Sequence, residues 1–112
     1  RSFLDVGEAV RRCRAAFPKK VIDCEVESVE DALRAAEAGA DTIMFDNMTP
    51  EKIAEAISAL KAAGLREMVM LEISGGIRAE TISAFKGLDI DIISMGSLTH
   101  SVVCADVSLE IE

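Results

Sequence analysis

Gly39-Ala40-Asp41-Thr42-Ile43-Met44-Phe45-Asp46-Asn47-Met48-Thr49-Pro50-Glu51 is the stretch on which the fold turns. A glycine here stops a helix whose apolar positions are Ala32, Leu33 and Ala36. Thr42 to Phe45 is a short buried-type strand, closed by Asp46-Asn47. Thr49-Pro50-Glu51 then supplies a cap, a proline in the first turn and a carboxylate that the helix dipole favours. Helix, strand and helix follow one another with almost no loop between them.

The same unit recurs on either side. Upstream, Phe3, Val6, Val10, Cys13 and Phe17 recur at three- and four-residue steps, the stripe of an amphipathic helix that ends before Pro18. Val21 to Val26 is an apolar run interleaved with Asp23 and Glu25, and Ser28 caps a helix start with an acidic side chain three residues on. Downstream, Ile53, Ile57 and Leu60 stripe a third helix before Gly64, and Val69 to Ile73 is the third strand, followed by a Ser74-Gly75-Gly76 loop. Ala79 to Phe85 reads as a short helix and Ile90 to Met95 as a fourth strand, ending in Gly96. Val107 to Ile111 alternates like a last edge strand.

Strands alternating with helices predict an α/β fold with right-handed crossovers and a parallel sheet covered by helices. Strands starting near Val21, Thr42, Val69 and Ile90 are 21, 27 and 21 residues apart. Eight such units need roughly 200–250 residues, the usual size of a closed α/β barrel, so 112 residues hold about half of one. A small doubly wound sheet of five strands is the alternative. The opening helix and the lack of a first phosphate-binding strand-turn weigh against it.

Composition excludes several function classes. Twelve Lys and Arg against 20 Asp and Glu give a net charge of −8, with no Trp or Tyr. Arg1, Arg11, Arg12, Arg14, Lys19 and Lys20 against Asp5 and Glu8 make the first 20 residues net +4, so everything beyond them is net −12. Such a body offers nucleic acid neither an electrostatic footprint nor a stacking platform. No apolar run approaches the ~20 residues of a membrane span and no leader is evident, so a cytoplasmic location is expected. Cys13, Cys24 and Cys104 are widely spaced without a CxxC pair, and reduced thiols are the expectation. Arg11, Arg12 and Arg14 read as a solvated helix face.

Function belongs at the carboxyl ends of parallel strands. Side chains alternate faces along a strand, so Glu25, Asp46, Glu72 and Ser74 converge on one mouth. A lone carboxylate there is usually a solvated strand end. Several together repel one another unless a cation or a hydroxyl-rich ligand sits among them. Ser74-Gly75-Gly76 and Gly96-Ser97 follow consecutive strands, where glycines let backbone N–H groups approach a phosphate. Each alone is an ordinary tight turn, but with the carboxylates the loops suggest a phosphosugar site.

Four motifs carry a family resemblance: Cys24-Glu25-Val26-Glu27-Ser28-Val29-Glu30, Ala38-Gly39-Ala40-Asp41-Thr42-Ile43-Met44-Phe45-Asp46-Asn47, Leu71-Glu72-Ile73-Ser74-Gly75-Gly76-Ile77 and Ile93-Ser94-Met95-Gly96-Ser97-Leu98-Thr99-His100-Ser101. In this order they resemble the C-terminal, barrel half of quinolinate phosphoribosyltransferase, also called nicotinate-nucleotide pyrophosphorylase (carboxylating). The resemblance implies an open, incomplete TIM-like barrel of which residues 1–112 are the later part, with an N-terminal sandwich domain and the first half of the barrel absent. It implies transfer of phosphoribosyl from phosphoribosyl pyrophosphate to quinolinate with Mg²⁺, giving nicotinate mononucleotide, pyrophosphate and CO₂ in NAD biosynthesis. Glu25 and Asp46 correspond to carboxylates near the ribose hydroxyls and the metal, which they reach directly or through water. Ser74, Gly75, Gly76, Gly96 and His100 fall in the phosphate-binding loops, and Glu72 at the barrel mouth. For His100 two readings stand, a second phosphate donor and a structural residue. The basic residues that grip the quinolinate carboxylates have no counterpart here, so the isolated chain is expected to be inactive. A homodimer, a higher homo-oligomer or a complementing N-terminal half would complete it and cover its open strand edges. A molybdenum-transport-associated paralogue shares the scaffold but matches less well at Asn47 and Ser74. A receiver-like Mg²⁺-binding signalling domain is the competing class, with Asp46 as its acceptor, but no Lys follows the fourth strand.

Overall fold

The structure, a computed structural model, describes residues 5–74, 82–85, 87–93, 101–104 and 107–110. Each helix begins where a side chain satisfies an orphan backbone donor. Asp5 caps α1 (Val6–Ala16) by accepting from the Glu8 N–H at 2.7 Å. Ser28 does the same for Asp31 at the start of α2 (Val29–Ala38), at 3.1 Å. Thr49 accepts from Lys52 at 3.2 Å ahead of α3 (Pro50–Ala62), where Pro50 occupies a first-turn position that has no N–H bond to lose. Gly39 ends α2 at φ +104°, with no atom within 4 Å of where a Cβ would stand. Gly39→Ala is therefore expected to cost about 1–2 kcal/mol through backbone strain alone. Chemical denaturation of the full-length protein would read it, and an unchanged midpoint would contradict it.

Four strands run parallel between and after these helices: β1 (Ile22–Val26), β2 (Thr42–Asp46), β3 (Met70–Ser74) and β4 (Ile92–Ile93). Two more, β5 (Ser101–Cys104) and β6 (Val107–Glu110), complete one sheet in the order β4-β3-β2-β1-β5-β6. Both β5 and β6 pair antiparallel. The sheet is therefore mixed rather than wholly parallel, and the outer edge of β1, expected to be open, carries β5. Val107 to Glu110 is an edge strand as its alternation predicts. Of the expected helix at Ala79 to Phe85, the described part is a 3₁₀ turn, Ile82–Phe85. A further 3₁₀ turn, Arg66–Met68, leads into β3.

One face of the sheet is the core. Ile22, Cys24, Val26, Ile43, Phe45, Leu71 and Ile73 alternate onto it and are fully buried. Val6, Ala9, Val10 and Cys13 of α1 and Ile53, Ala56, Ile57 and Leu60 of α3 share the same core. From α2 the buried residues are Ala32, Ala35 and Ala36, small enough to let its backbone approach the sheet closely. Cys24 is a free thiol, whereas Cys13 is disulfide-bonded, which corrects the expectation that every thiol is reduced.

At the opposite end from the strand carboxyl termini, one clasp occurs twice. Asp41, just before β2, donates its N–H to the Ile22 carbonyl at 2.9 Å and accepts the Ile22 N–H on Oδ2 at 2.8 Å. Arg14 bonds that same Oδ2 and the carbonyl of Gly39, both at 2.8 Å. Asp91, just before β4, repeats this with Leu71, at 2.9 Å and 2.8 Å. Arg66 bonds Asp91 Oδ2 at 3.1 Å and the Asp89 carbonyl at 2.9 Å. Arg14 is thus a cross-link and not part of a solvated face.

The second clasp has a pH signature. The Leu71 N–H holds the Asp91 carboxyl below its usual value; burial opposes this in part, and the bond and charge of Arg66 add to the lowering. A group depressed in the folded state stabilises above its unfolded value, about 3.9, and loses that contribution as pH falls through the folded value. Asp91→Asn is expected to flatten the loss of stability below about pH 4, with Tm from pH 7 to pH 2.5 as the readout. Parallel curves for both proteins would contradict this.

Candidate active site

The second sheet face carries the acids. Parallel register sets Asp23 beside Thr42 and Met70, then Glu25 beside Met44, Glu72 and Ile92, then Asp46 beside Ser74. Residues directly opposite in a ladder point the same way, so Asp23, Glu25, Asp46 and Glu72 share one face. With strands about 4.8 Å apart, Glu25 and Glu72 flank Met44 at a backbone separation of ~10 Å. Alternation sets which residues of one strand share a face, and the register sets which residues of the neighbouring strands stand level with them.

Glu25 and Asp46 are each only 8 % exposed, although Met70 on the same face is 49 % exposed. The face therefore mixes buried acids with exposed apolar side chains, Met70 and Ile92. Glu72 is half-buried, and burial, followed by the Asp23 carboxylate, raises its proton affinity. Asp23, which the strand-end argument does not reach, joins this face through its alternation with Glu25. Directly after Asp46, Asn47 adopts φ +57°, a left-handed conformation that asparagine tolerates better than most residues. The chain thereby turns at the point where Asp46 ends β2.

Buried carboxylates on adjacent strands of one face, set diagonally as Glu25 and Asp46 are, can accept bonds from vicinal hydroxyls, or balance a cation held through water. Among the described residues no three metal-ligating side chains converge. Cys24, between Asp23 and Glu25 in sequence, faces the core. Burial, with Asp31, Glu25 and Asp23, pushes its thiol up to about 12, so it offers no nucleophile. Ser74 ends β3 opposite Asp46. Gly75, Gly76, Gly96 and His100 lie outside the described residues.

Residues 1–110 match the family model described as quinolinate phosphoribosyl transferase, C-terminal domain. A probable nicotinate-nucleotide pyrophosphorylase (carboxylating) of Archaeoglobus fulgidus is 46 % identical over 104 residues, 93 % of this chain and 40 % of that protein. The human nicotinate-nucleotide pyrophosphorylase (carboxylating) is 42 % identical, over 95 % of this chain and 35 % of its own length. Among solved structures, NadC from Streptococcus pyogenes superposes with a TM-score of 0.72 at 41 % identity, covering 94 % of this chain and 38 % of that one. Nicotinate-nucleotide pyrophosphorylase from Francisella tularensis gives 0.70 at 33 % identity, over 83 % and 32 %. The chain thus spans between about a third and two fifths of the length of these relatives. These matches favour the phosphoribosyltransferase reading over the receiver-like and molybdenum-transport-associated ones.

Proposed function

The chain belongs to the quinolinate phosphoribosyl transferase family, as its C-terminal domain, and from that membership we propose that the whole protein converts quinolinate and phosphoribosyl pyrophosphate to nicotinate mononucleotide, pyrophosphate and CO₂. This domain supplies the ribose-facing and phosphate-facing part of the site. The observation that carries the reading is the pair of buried carboxylates, Glu25 and Asp46, on one sheet face near the carboxyl ends of adjacent parallel strands.

In the proposed reaction the bond from the ribose anomeric carbon to pyrophosphate breaks, and a bond from that carbon to the quinolinate ring nitrogen forms. The carboxylate next to that nitrogen then leaves as CO₂, and its ring carbon takes up a proton. Positive charge develops on the sugar before the new bond is complete, and Glu25 and Asp46 stabilise it while orienting the ribose hydroxyls. Backbone amides of Ser74, Gly75, Gly76 and Gly96 hold the phosphate, with His100 beside them and Glu72 at the mouth. No side chain acts as a nucleophile. Mg²⁺ fits this donor set, because magnesium is held by one or two carboxylates together with substrate phosphates, and when bound it would neutralise the leaving pyrophosphate.

We place the protein in the cytoplasm as a homodimer or higher homo-oligomer. No described helix is long and apolar enough to cross a membrane. The test is to incubate the full-length protein with quinolinate, phosphoribosyl pyrophosphate and Mg²⁺ and to follow nicotinate mononucleotide and CO₂ together. Formation of both supports the reading. Product from nicotinate but not quinolinate, or no turnover with either, would overturn it.

A further inference from the structure

We infer that Asp41 is a positioning residue that sets the level of Glu25 and Asp46 from the far end of the sheet. The ladder pairs of β1 with β2 begin at Asp23 and Thr42, one residue after Ile22 and Asp41. The chain enters β2 from Gly39, which stands at φ +104° and gives its carbonyl to Arg14. At the start of β1 the Asp41 carboxylate accepts the Ile22 N–H, at 2.8 Å. Its own N–H returns to the Ile22 carbonyl at 2.9 Å, which fixes β1 against β2 at two points on one residue.

Asp41 also reaches the third strand, because its backbone carbonyl accepts the Met70 N–H at 2.9 Å. One residue therefore ties the starts of β1, β2 and β3 together. From that tie the register runs forward without a bulge: Glu25 comes level with Met44, Met44 with Glu72, and Asp46 with Ser74. Five residues at about 3.3 Å each separate Asp41, just ahead of β2, from Asp46 at its end, so the two sit ~17 Å apart along the backbone and do different work. Asp41 touches neither substrate nor reacting atoms. It acts through the register that brings Glu25 beside the strand of Asp46. A misplacement of about 1 Å at reacting groups can cost a hundredfold in rate, so a loosened tie should be visible in kcat.

The inference rests on the phosphoribosyl-transfer reading for its kinetic readout only. Arg14 separates positioning from stability, since Arg14→Ala removes the ion pair with Asp41 but leaves both bonds to Ile22. In the full-length protein, assayed at a temperature where all variants are folded, Asp41→Ala is expected to lower kcat about tenfold or more, with KM for both substrates within about threefold. Arg14→Ala should keep kcat within about twofold despite a lower Tm. Asp41→Asn retains an oxygen for the Ile22 N–H and should restore most of the rate, and it remains testable if the alanine variant does not fold. Equal kcat losses in Arg14→Ala and Asp41→Ala, or wild-type kcat in Asp41→Ala, would overturn the inference. Should the unaltered protein lack the activity, the functional reading fails, and hydrogen–deuterium exchange decides the positioning claim. Exchange raised along β1 and β2 as far as Val26 and Asp46 in Asp41→Ala, but only at the strand starts in Arg14→Ala, would support it. Identical exchange in the two variants would overturn it.

Discussion

Glu25→Gln and Asp46→Asn, each made in the full-length protein, are expected to lower kcat by roughly 30- to 1000-fold while Tm holds or rises. The rate loss follows from the task proposed for these carboxylates. A fixed negative charge facing a developing cation in a site shielded from water contributes about 2–4 kcal/mol to the barrier, and each 1.36 kcal/mol is tenfold. Both side chains are nearly buried, so the field they exert is screened less than it would be on an open surface. The stability change has the opposite sign for a separate reason. Four carboxylates share the face, where like charges repel; burial first, and then the Asp23 carboxylate, raises the proton affinity of Glu72. An amide of the same shape removes one charge from that crowd without leaving a cavity. Activity and stability moving in opposite directions mark residues kept for chemistry at some expense of the fold. Steady-state kinetics beside a thermal melt would show it. A parallel fall of kcat and Tm in both variants would instead mark Glu25 and Asp46 as structural.

Much of this fold was legible because its punctuation is local. Ser28, Thr49-Pro50 and Gly39 start or stop helices through bonds within four residues of themselves, and such signals survive in sequence. Direction along a strand does not. The alternation at Val107 to Ile111 reads the same for a parallel or an antiparallel edge, so the antiparallel β5 and β6 were beyond the reach of periodicity. The two clasps were missed for a related reason. Arg14 sits 27 residues from Asp41 and Arg66 25 from Asp91, and an arginine on a helix or turn reads as solvent-facing until the partner strand is in place. At the candidate site, alternation could place Asp23 with Glu25 on one strand, and Glu72 with Ser74 on another. Which of them stand side by side depends on register, which is fixed by bonds between strands rather than by residue type. Gly75, Gly76, Gly96 and His100 owe their assignment to the motifs they sit in, since glycine and a lone histidine carry no spacing signal of their own.

Arg66→Ala is expected to cost about 3 kcal/mol in the full-length protein, and Arg14→Ala about 1 kcal/mol, although both arginines close the same kind of clasp. The difference lies in burial and in how many groups each leaves stranded. The Arg14 side chain is 34 % exposed, and water can reach the carbonyls of Pro18, Lys20 and Gly39 that it leaves behind. Arg66 is only 11 % exposed in its side chain. Its Nε bonds Asp89 Oδ2 at 3.0 Å, Nη1 the Val69 carbonyl at 3.0 Å, and Nη2 the Asp89 carbonyl and Asp91 Oδ2. Val69 is itself buried, so its carbonyl loses a bond that solvent replaces poorly. Asp89 and Asp91 remain partly exposed and recover water, which keeps the total below what a fully enclosed pair would cost. Arg66→Lys should recover less than half of the loss, because an ammonium cannot reproduce a planar fork that serves two carboxylates and two carbonyls at once. Denaturant midpoints for the three variants give the comparison. Equal losses for Arg66→Ala and Arg14→Ala, or full recovery by lysine, would mean that charge alone matters and that the fork geometry at the start of β3 does not.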